Sequence, residues 1–193
     1  MKKEDKKFTL EHIIRTKNTD RDFIFDSMQQ EGNSGPVEID SIGTQLASIR
    51  YNLNDYLSEN KSIKINARFM ILSPGGEGSL CRSVLEKKSL LDVNKMLDSA
   101  ALQMMKFKNM VQTYNQESTT DIRHYKFNPN CMLIRINEKI LVNPYVAHNH
   151  AYKTYCFQFN KKQHPYMYQY YYDFFDRIFN SKKLSHYLKL PNT

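Results

Sequence analysis

The chain has 193 residues, with 28 Lys and Arg against 20 Asp and Glu, a net charge of +8 and a pI near 9.3. Six Gly and six Pro exclude collagen, mucin-like stalks and Pro/Gly-rich disorder. A mean hydropathy of −0.65, without any run of about 18 apolar residues, excludes a transmembrane helix. The length fits one domain with at most an added arm or tail.

Residues 1–18 are charge-rich around one apolar patch, Phe8 to Leu10 and Ile13 to Ile14, and read as an arm or short helix that frays at its start. No uninterrupted apolar block follows the first charges, so no secretory signal is readable. Thr19 or Asp20 caps a short helix in which Phe23, Ile24 and Met28 share a face. The break at 31–36 ends it, and Val37-Glu-Ile39 alternates as the start of a strand.

From Ile42 the apolar residues Ile42, Leu46, Ile49, Leu53 and Leu57 keep steps of three and four, which predicts a helix over that whole stretch. Ile63 and Ile65 then alternate before the continuous run Phe69 to Leu72, the signature of a central strand covered on both faces. Strand, helix and strand in succession predict a βαβ unit with a parallel pair. A Gly-rich loop, Ser73 to Ser79, leads into a helix beginning at Leu80. A second helix runs from about Leu90 to Asn115, with Val93, Leu97, Ala101, Met104, Phe107, Val111 and Tyr114 along one side.

Four strands follow: Ile122 to Phe127, Met132 to Ile136, Ile140 to Val146, and Tyr152 to Phe159, with Asn137-Glu138 as a tight antiparallel turn. The last helix, Pro165 to Asn180, carries two adjacent stripes of aromatic and aliphatic residues. The expected fold is α/β, a mixed sheet flanked by helices, with an N-terminal arm over 1–18, the domain over 19–185 and a tail over 186–193.

Four segments carry a resemblance: Met70-Ile-Leu-Ser-Pro74, Ile122-Arg-His-Tyr125, Leu133 through Tyr145, and Tyr171 through Phe179. In that order, over roughly 20–181, the chain resembles a phospholipase D-like half-domain of the divergent bacterial branch. The resemblance implies a signature HxKxxxxD whose Asp falls on Asn137, whose His falls on Asn130 and whose Lys falls on Met132. It implies two copies of that motif meeting, one His attacking phosphorus and the other protonating the leaving oxygen. Asn is no such nucleophile, and Met brings no charge to a pentacoordinate phosphate. The resemblance therefore implies a degenerate catalytic site, a homodimer if the two-lobed arrangement is kept, and a regulatory or defence setting.

The residues themselves offer several sites. Gly75, Gly76 and Gly78 allow backbone N–H groups to turn toward an anion, with Ser73 at the strand end, Ser79 as helix cap and Arg82 one turn further. A plain Gly-rich turn is the competing account, because the loop is no Walker or dinucleotide fingerprint and Glu77 repels anions. His148 and His150 form an HxH that, with His124 or Cys156, suits a metal or a relocated phosphodiesterase centre; as solvent-facing histidines beside a turn they do neither.

Arg123, Arg135 and Lys126, Lys139, Lys153, Lys161 and Lys162, interleaved with Tyr125, Tyr145, Tyr152 and Tyr155, predict an open sheet face where bases stack and cations track phosphates. The alternative is an ordinary solvated face. Cys81, Cys131 and Cys156 show no CxxC or zinc spacing and read as reduced thiols of a cytoplasmic protein, without metal or cofactor. Together these features lead to a non-catalytic domain that binds a phosphate-bearing ligand, a nucleotide or single-stranded nucleic acid. A phosphodiesterase or nuclease and a protein-interaction module are the rivals.

Overall fold

The computed structural model describes residues 12–14, 19–29, 35–128, 130–145 and 155–188. Thirteen elements lie among them: β1 (His12–Ile14), α1 (Thr19–Gln29), β2 (Val37–Gly43), α2 (Ala47–Glu59), β3 (Ile65–Leu72), α3 (Glu77–Glu86), α4 (Leu90–Tyr114), β4 (Thr119–Tyr125), β5 (Cys131–Ile136), β6 (Lys139–Pro144), β7 (Tyr155–Asn160), α5 (Pro165–Asn180) and β8 (Ser185–Tyr187). The strands form one eight-stranded sheet in the order β1-β7-β6-β5-β2-β3-β4-β8. The predicted α/β class is the observed one.

Mixed character follows from the connections. Helices α2 and α4 are long enough to carry the chain back across the sheet, so β2, β3 and β4 run parallel. The two-residue turn at Asn137-Glu138 instead folds β5 onto β6 antiparallel, with Ile136 opposite Lys139. Asn137 takes a φ of 48°, a left-handed conformation that Asn tolerates better than most residues.

Both faces of the sheet are covered, and strand alternation sorts the core into two halves. On one face Ile39, Ile65, Phe69, Ile71, Ile122, Ile134 and Leu141 pack with α1, α2 and the inner side of α4. On the other, Met70, Tyr125, Leu133, Ile140, Val142 and Phe159 pack with Phe175, Ile178 and Phe179 of α5. Arg68 locks α5 down: it forks onto Asp40, bonds Asp176 and lies over the Phe175 and Phe179 rings at 5.1 Å. Every residue of β5 and the middle of β6 is consequently buried.

Three expectations are corrected by long-range pairing. Ile42 belongs to β2, and α2 begins only at Ala47, because Gly43 and Thr44 end the strand and Leu46 turns at a φ of 52°. The apolar spacing merely continues from strand into helix. His12–Ile14, expected in a free arm, forms an edge strand antiparallel to β7. Ser185–Tyr187 crosses the expected boundary at 185 and pairs with β4 as the opposite edge. Phe8 to Leu10 and residues 189–193 lie outside the described residues.

Candidate ligand site at the carboxyl ends of the parallel strands

The Gly-rich loop follows β3, as predicted, but most of its amides are already engaged. The Gly75 N–H donates to Asn94 Oδ1 at 2.9 Å, the Gly78 N–H to the Lys126 carbonyl at 2.8 Å and the Ser79 N–H to the Gly76 carbonyl at 3.1 Å. Ser79 is fully buried inside α3 and donates its hydroxyl to Gly76 O, so it caps nothing; Gly76 is the N-cap. The glycines serve close packing. A Cβ on Gly78 would stand 2.3 Å from the Phe127 carbonyl oxygen, and one on Gly76 2.9 Å from that of Lys126. The anion cradle expected from Ser73, Gly75, Gly76 and Ser79 is replaced by a backbone-to-backbone seat for α3 on the turn after β4.

Arg82 is the member of that group that remains. Its Nη1 donates to Thr44 Oγ1 at 2.6 Å and its Nη2 pairs with Glu86, while Nε is buried with no partner among the described residues. Thr44 Oγ1 lies 3.5 Å from the Tyr145 hydroxyl, and a Cβ on the neighbouring Gly43 would stand 2.7 Å from Leu46 Cδ2. Tyr125, fully buried at the end of β4, also has a hydroxyl without a partner among the described residues.

Electrostatics tie these groups together. Burial pushes the Tyr125 phenol well above its ordinary range and raises that of Tyr145, with the Arg82 charge opposing both shifts. Burial also pushes the neighbouring Cys131 thiol up to about 11. At neutral pH the Arg82 cation, paired with the Glu86 carboxylate, therefore stands among neutral hydroxyls and a neutral thiol at the carboxyl ends of β2, β3 and β4. Open α/β sheets bind ligands in that position. Sequence reasoning missed Gly43, Thr44 and Cys131. A glycine and a hydroxyl residue directly after a strand were the available signal, hidden by extending the following helix back to Ile42.

The remaining candidates sit elsewhere. Arg123 is held by Asp121 and the Phe179 carbonyl and lies 4.0 Å over the Phe179 ring. Arg135 is buried and bonds Asp40 through Nε and the Asn137 carbonyl through Nη1; burial opposes its charge, but Asp40 outweighs that and holds it protonated. Both arginines and Tyr125 lie beneath α5, so among the described residues these three do not contribute to an open platform of rings and cations. Tyr155 is exposed at the start of β7, and Tyr152, Lys153, His148 and His150 lie outside the described residues.

His124, expected as a third metal ligand or a relocated catalytic residue, is buried. Burial and the facing His186 lower it to about 4, and its Nε2 has no partner among the described residues. Among the described residues no three His, Cys, Asp or Glu side chains gather as a metal would require.

The three residues aligned with the phosphoryl-transfer signature are not gathered either. Asn130 and Asn137 flank β5 at opposite ends, roughly 20 Å apart along the strand. The Asn137 side chain accepts the Glu38 N–H at 2.7 Å, and its carbonyl accepts the Tyr168 hydroxyl at 2.6 Å, which makes it an anchor for β2 and α5. The Asn130 carbonyl accepts the Tyr145 N–H, and Met132 packs in the core against Gly43. Asn130 and Met132 thus stand at the end of β5 where Tyr145, Thr44 and Arg82 meet.

No family model matches the chain, and no curated protein matches it. Among solved structures it is similar to TrmBL2, described as an archaeal chromatin protein that shows a novel mode of DNA binding, at 11% identity and a TM-score of 0.46. That likeness covers 90% of this chain and 53% of the other, so the chain spans about half the length of that structure.

Proposed function

We propose that the chain is a phospholipase D-like half-domain without phosphoryl-transfer chemistry, which binds a phosphate-bearing ligand, a nucleotide or nucleic acid, at Arg82. The observation that carries this reading is a pair of buried donors with no acceptor among the described residues, Arg82 Nε and Tyr125 Oη, at the strand ends where the Arg82 charge acts on the Tyr125 phenol. A buried donor left unpaired costs about 1–3 kcal/mol, and a phosphate oxygen is an acceptor that relieves it while matching the guanidinium charge. The net charge of +8 supports a polyanion. Asn130 and Met132 at the same end supply neither nucleophile nor cation, which supports binding without turnover.

Calorimetric titration of the full chain with nucleotides, a single-stranded oligonucleotide and inorganic phosphate tests the reading. Arg82→Ala is expected to weaken binding at least about tenfold. Arg82→Lys keeps the charge but removes Nε, and is expected to restore only part of it. Binding that survives Arg82→Ala, or no binding of any of these probes, overturns the proposal.

A further inference from the structure

Two turns meet at the β4–β8 edge of the sheet. Strand β8 sets Ser185 opposite Tyr125, so the turn that precedes β8, over 181–184, runs beside the turn that follows β4. The turn over 181–184 is closed tightly, because the Leu184 and Ser185 N–H groups both donate to the Ser181 carbonyl, at 3.2 and 2.9 Å. That closure puts Lys182 and Lys183 at its tip, with Lys126 on the turn alongside. All three lysines are exposed, and none of their ammonium groups makes an ion pair among the described residues.

The fold gains nothing from these charges. The end of α5 needs no lysine, since the Phe179 carbonyl already accepts from Arg123 Nη1 at 2.5 Å and from Ser185 Oγ at 2.8 Å. Like charges gathered at one place repel, and such a group costs stability until an anion joins it. Glu77, in the first turn of α3, is exposed and makes no ion pair among the described residues, so it does not neutralise them. Lys126 connects the group to the Arg82 site: it follows Tyr125 in the chain, and its carbonyl accepts the Gly78 N–H at 2.8 Å, one helical turn before Arg82. Two residues along β8 from Ser185 stands Tyr187, 68% exposed, with the Arg123 guanidinium 4.7 Å from its ring. An exposed ring held from one side by a cation is a surface on which a base stacks.

We infer that Lys126, Lys182 and Lys183, with Tyr187 beside them, form a track for the backbone of a single-stranded nucleic acid. The inference rests on the reading of Arg82 as a phosphate site and deepens it: the ligand is a strand whose further phosphates lie on these lysines, not a free nucleotide. Cations that follow a backbone beside a ring that takes a base are the combination by which single strands are held. A duplex keeps its bases stacked on one another and has no use for Tyr187. One exposed leucine, Leu184, accompanies the lysines, which is too little for the apolar face that a membrane-bound segment inserts.

Fluorescence anisotropy of a labelled oligothymidylate of about twelve nucleotides with the full chain, over a salt series, tests the track. Replacing Lys126, Lys182 and Lys183 together by Gln is expected to weaken binding at least about tenfold and to lower the salt slope by about two, at about 0.7 per phosphate contact. The same variant should bind inorganic phosphate as before and keep or raise its unfolding midpoint, because the three side chains are exposed. Tyr187→Leu is expected to weaken oligonucleotide binding at least about fivefold with the slope unchanged. A triple variant with unchanged affinity and slope overturns the inference. So does a wild-type chain that binds no oligonucleotide, whether or not it binds inorganic phosphate through Arg82. Oligonucleotide binding that follows the lysines yet survives Arg82→Ala retains the track and removes the Arg82 reading alone. Preference for a duplex of equal length, or retention on anionic vesicles without oligonucleotide binding, assigns the edge to that partner and overturns the single strand.

Discussion

Asp40 is 1% exposed and carries its charge between two arginines, accepting from Arg68 through both oxygens and from Arg135 at 2.5 Å. Around one carboxylate the middle of the sheet and α5 are held together, because Arg68 continues to Asp176 and Arg135 continues to the Asn137 turn. Asp40→Ala is expected to cost about 3–5 kcal/mol, measured as a lower midpoint and extrapolated stability in urea, because it strands two guanidinium groups under a helix. Tyr125→Phe is the contrasting case. Its hydroxyl is buried without a partner, so the change should leave stability equal or higher, while ligand affinity falls if the hydroxyl is a donor to phosphate. A clear loss of stability would show that the hydroxyl has a protein acceptor. Neither role is visible in the sequence, where Arg123, Arg135 and Tyr125 look equally available for a ligand.

At the scale of elements, the start of α3 and the edge strand β8 each depend on a close approach. Gly78→Ala places a methyl 2.3 Å from the Phe127 carbonyl oxygen and is expected to destabilise the chain by about 1–3 kcal/mol, read by urea unfolding. Gly75→Ala meets no atom within 4 Å, and its cost of about 1–2 kcal/mol comes from the φ of 70° alone. Strand β8 sets His186 directly opposite His124, with the rings edge to face at 5.6 Å. His124 is lowered to about 4 by burial and then by His186. The unfolded chain, with its ordinary histidine pKa near 6.5, therefore binds more protons between those values. Stability is retained above about pH 6.5, falls as pH drops toward 4, and levels off for this group below that. Urea midpoints measured from pH 7 to 4 should show this slope, and His124→Gln should flatten it; an unchanged slope in the variant would assign it elsewhere.

For the molecule as a whole, the covered sheet decides which functions remain accessible. Helices on both faces remove the stacking surface that interleaved Tyr and Lys suggested, and leave the carboxyl ends of β2, β3 and β4 as the place where an arginine and hydroxyls meet. Among the described residues no helix is long and apolar enough to cross a membrane. If the ligand at Arg82 is a nucleic acid, binding should weaken linearly in log affinity against log salt, with a slope set by the phosphates contacted. A free nucleotide should show a shallower dependence. Fluorescence anisotropy across a salt series separates the two, and a slope near zero would oppose a polyanionic ligand.

Periodicity and turn chemistry determined much of the architecture without help. The run Phe69 to Leu72 named a strand covered on both sides, the spacing from Val93 to Tyr114 named a long packed helix, Asn137-Glu138 named the hairpin, and Pro165 opened α5 where the helix begins. Each is a local signal, carried by residues within a few positions of one another. Only the tertiary structure decided that Ile42 ends a strand, that the glycines seat a helix instead of an anion, and that β1 and β8 close the sheet edges. It alone brought Thr44, Arg82, Tyr125 and Tyr145 together. Those outcomes depend on partners tens of residues apart, such as Gly78 with Lys126 or Thr44 with Tyr145, and a local pattern carries no record of which distant donor or carbonyl will be at hand.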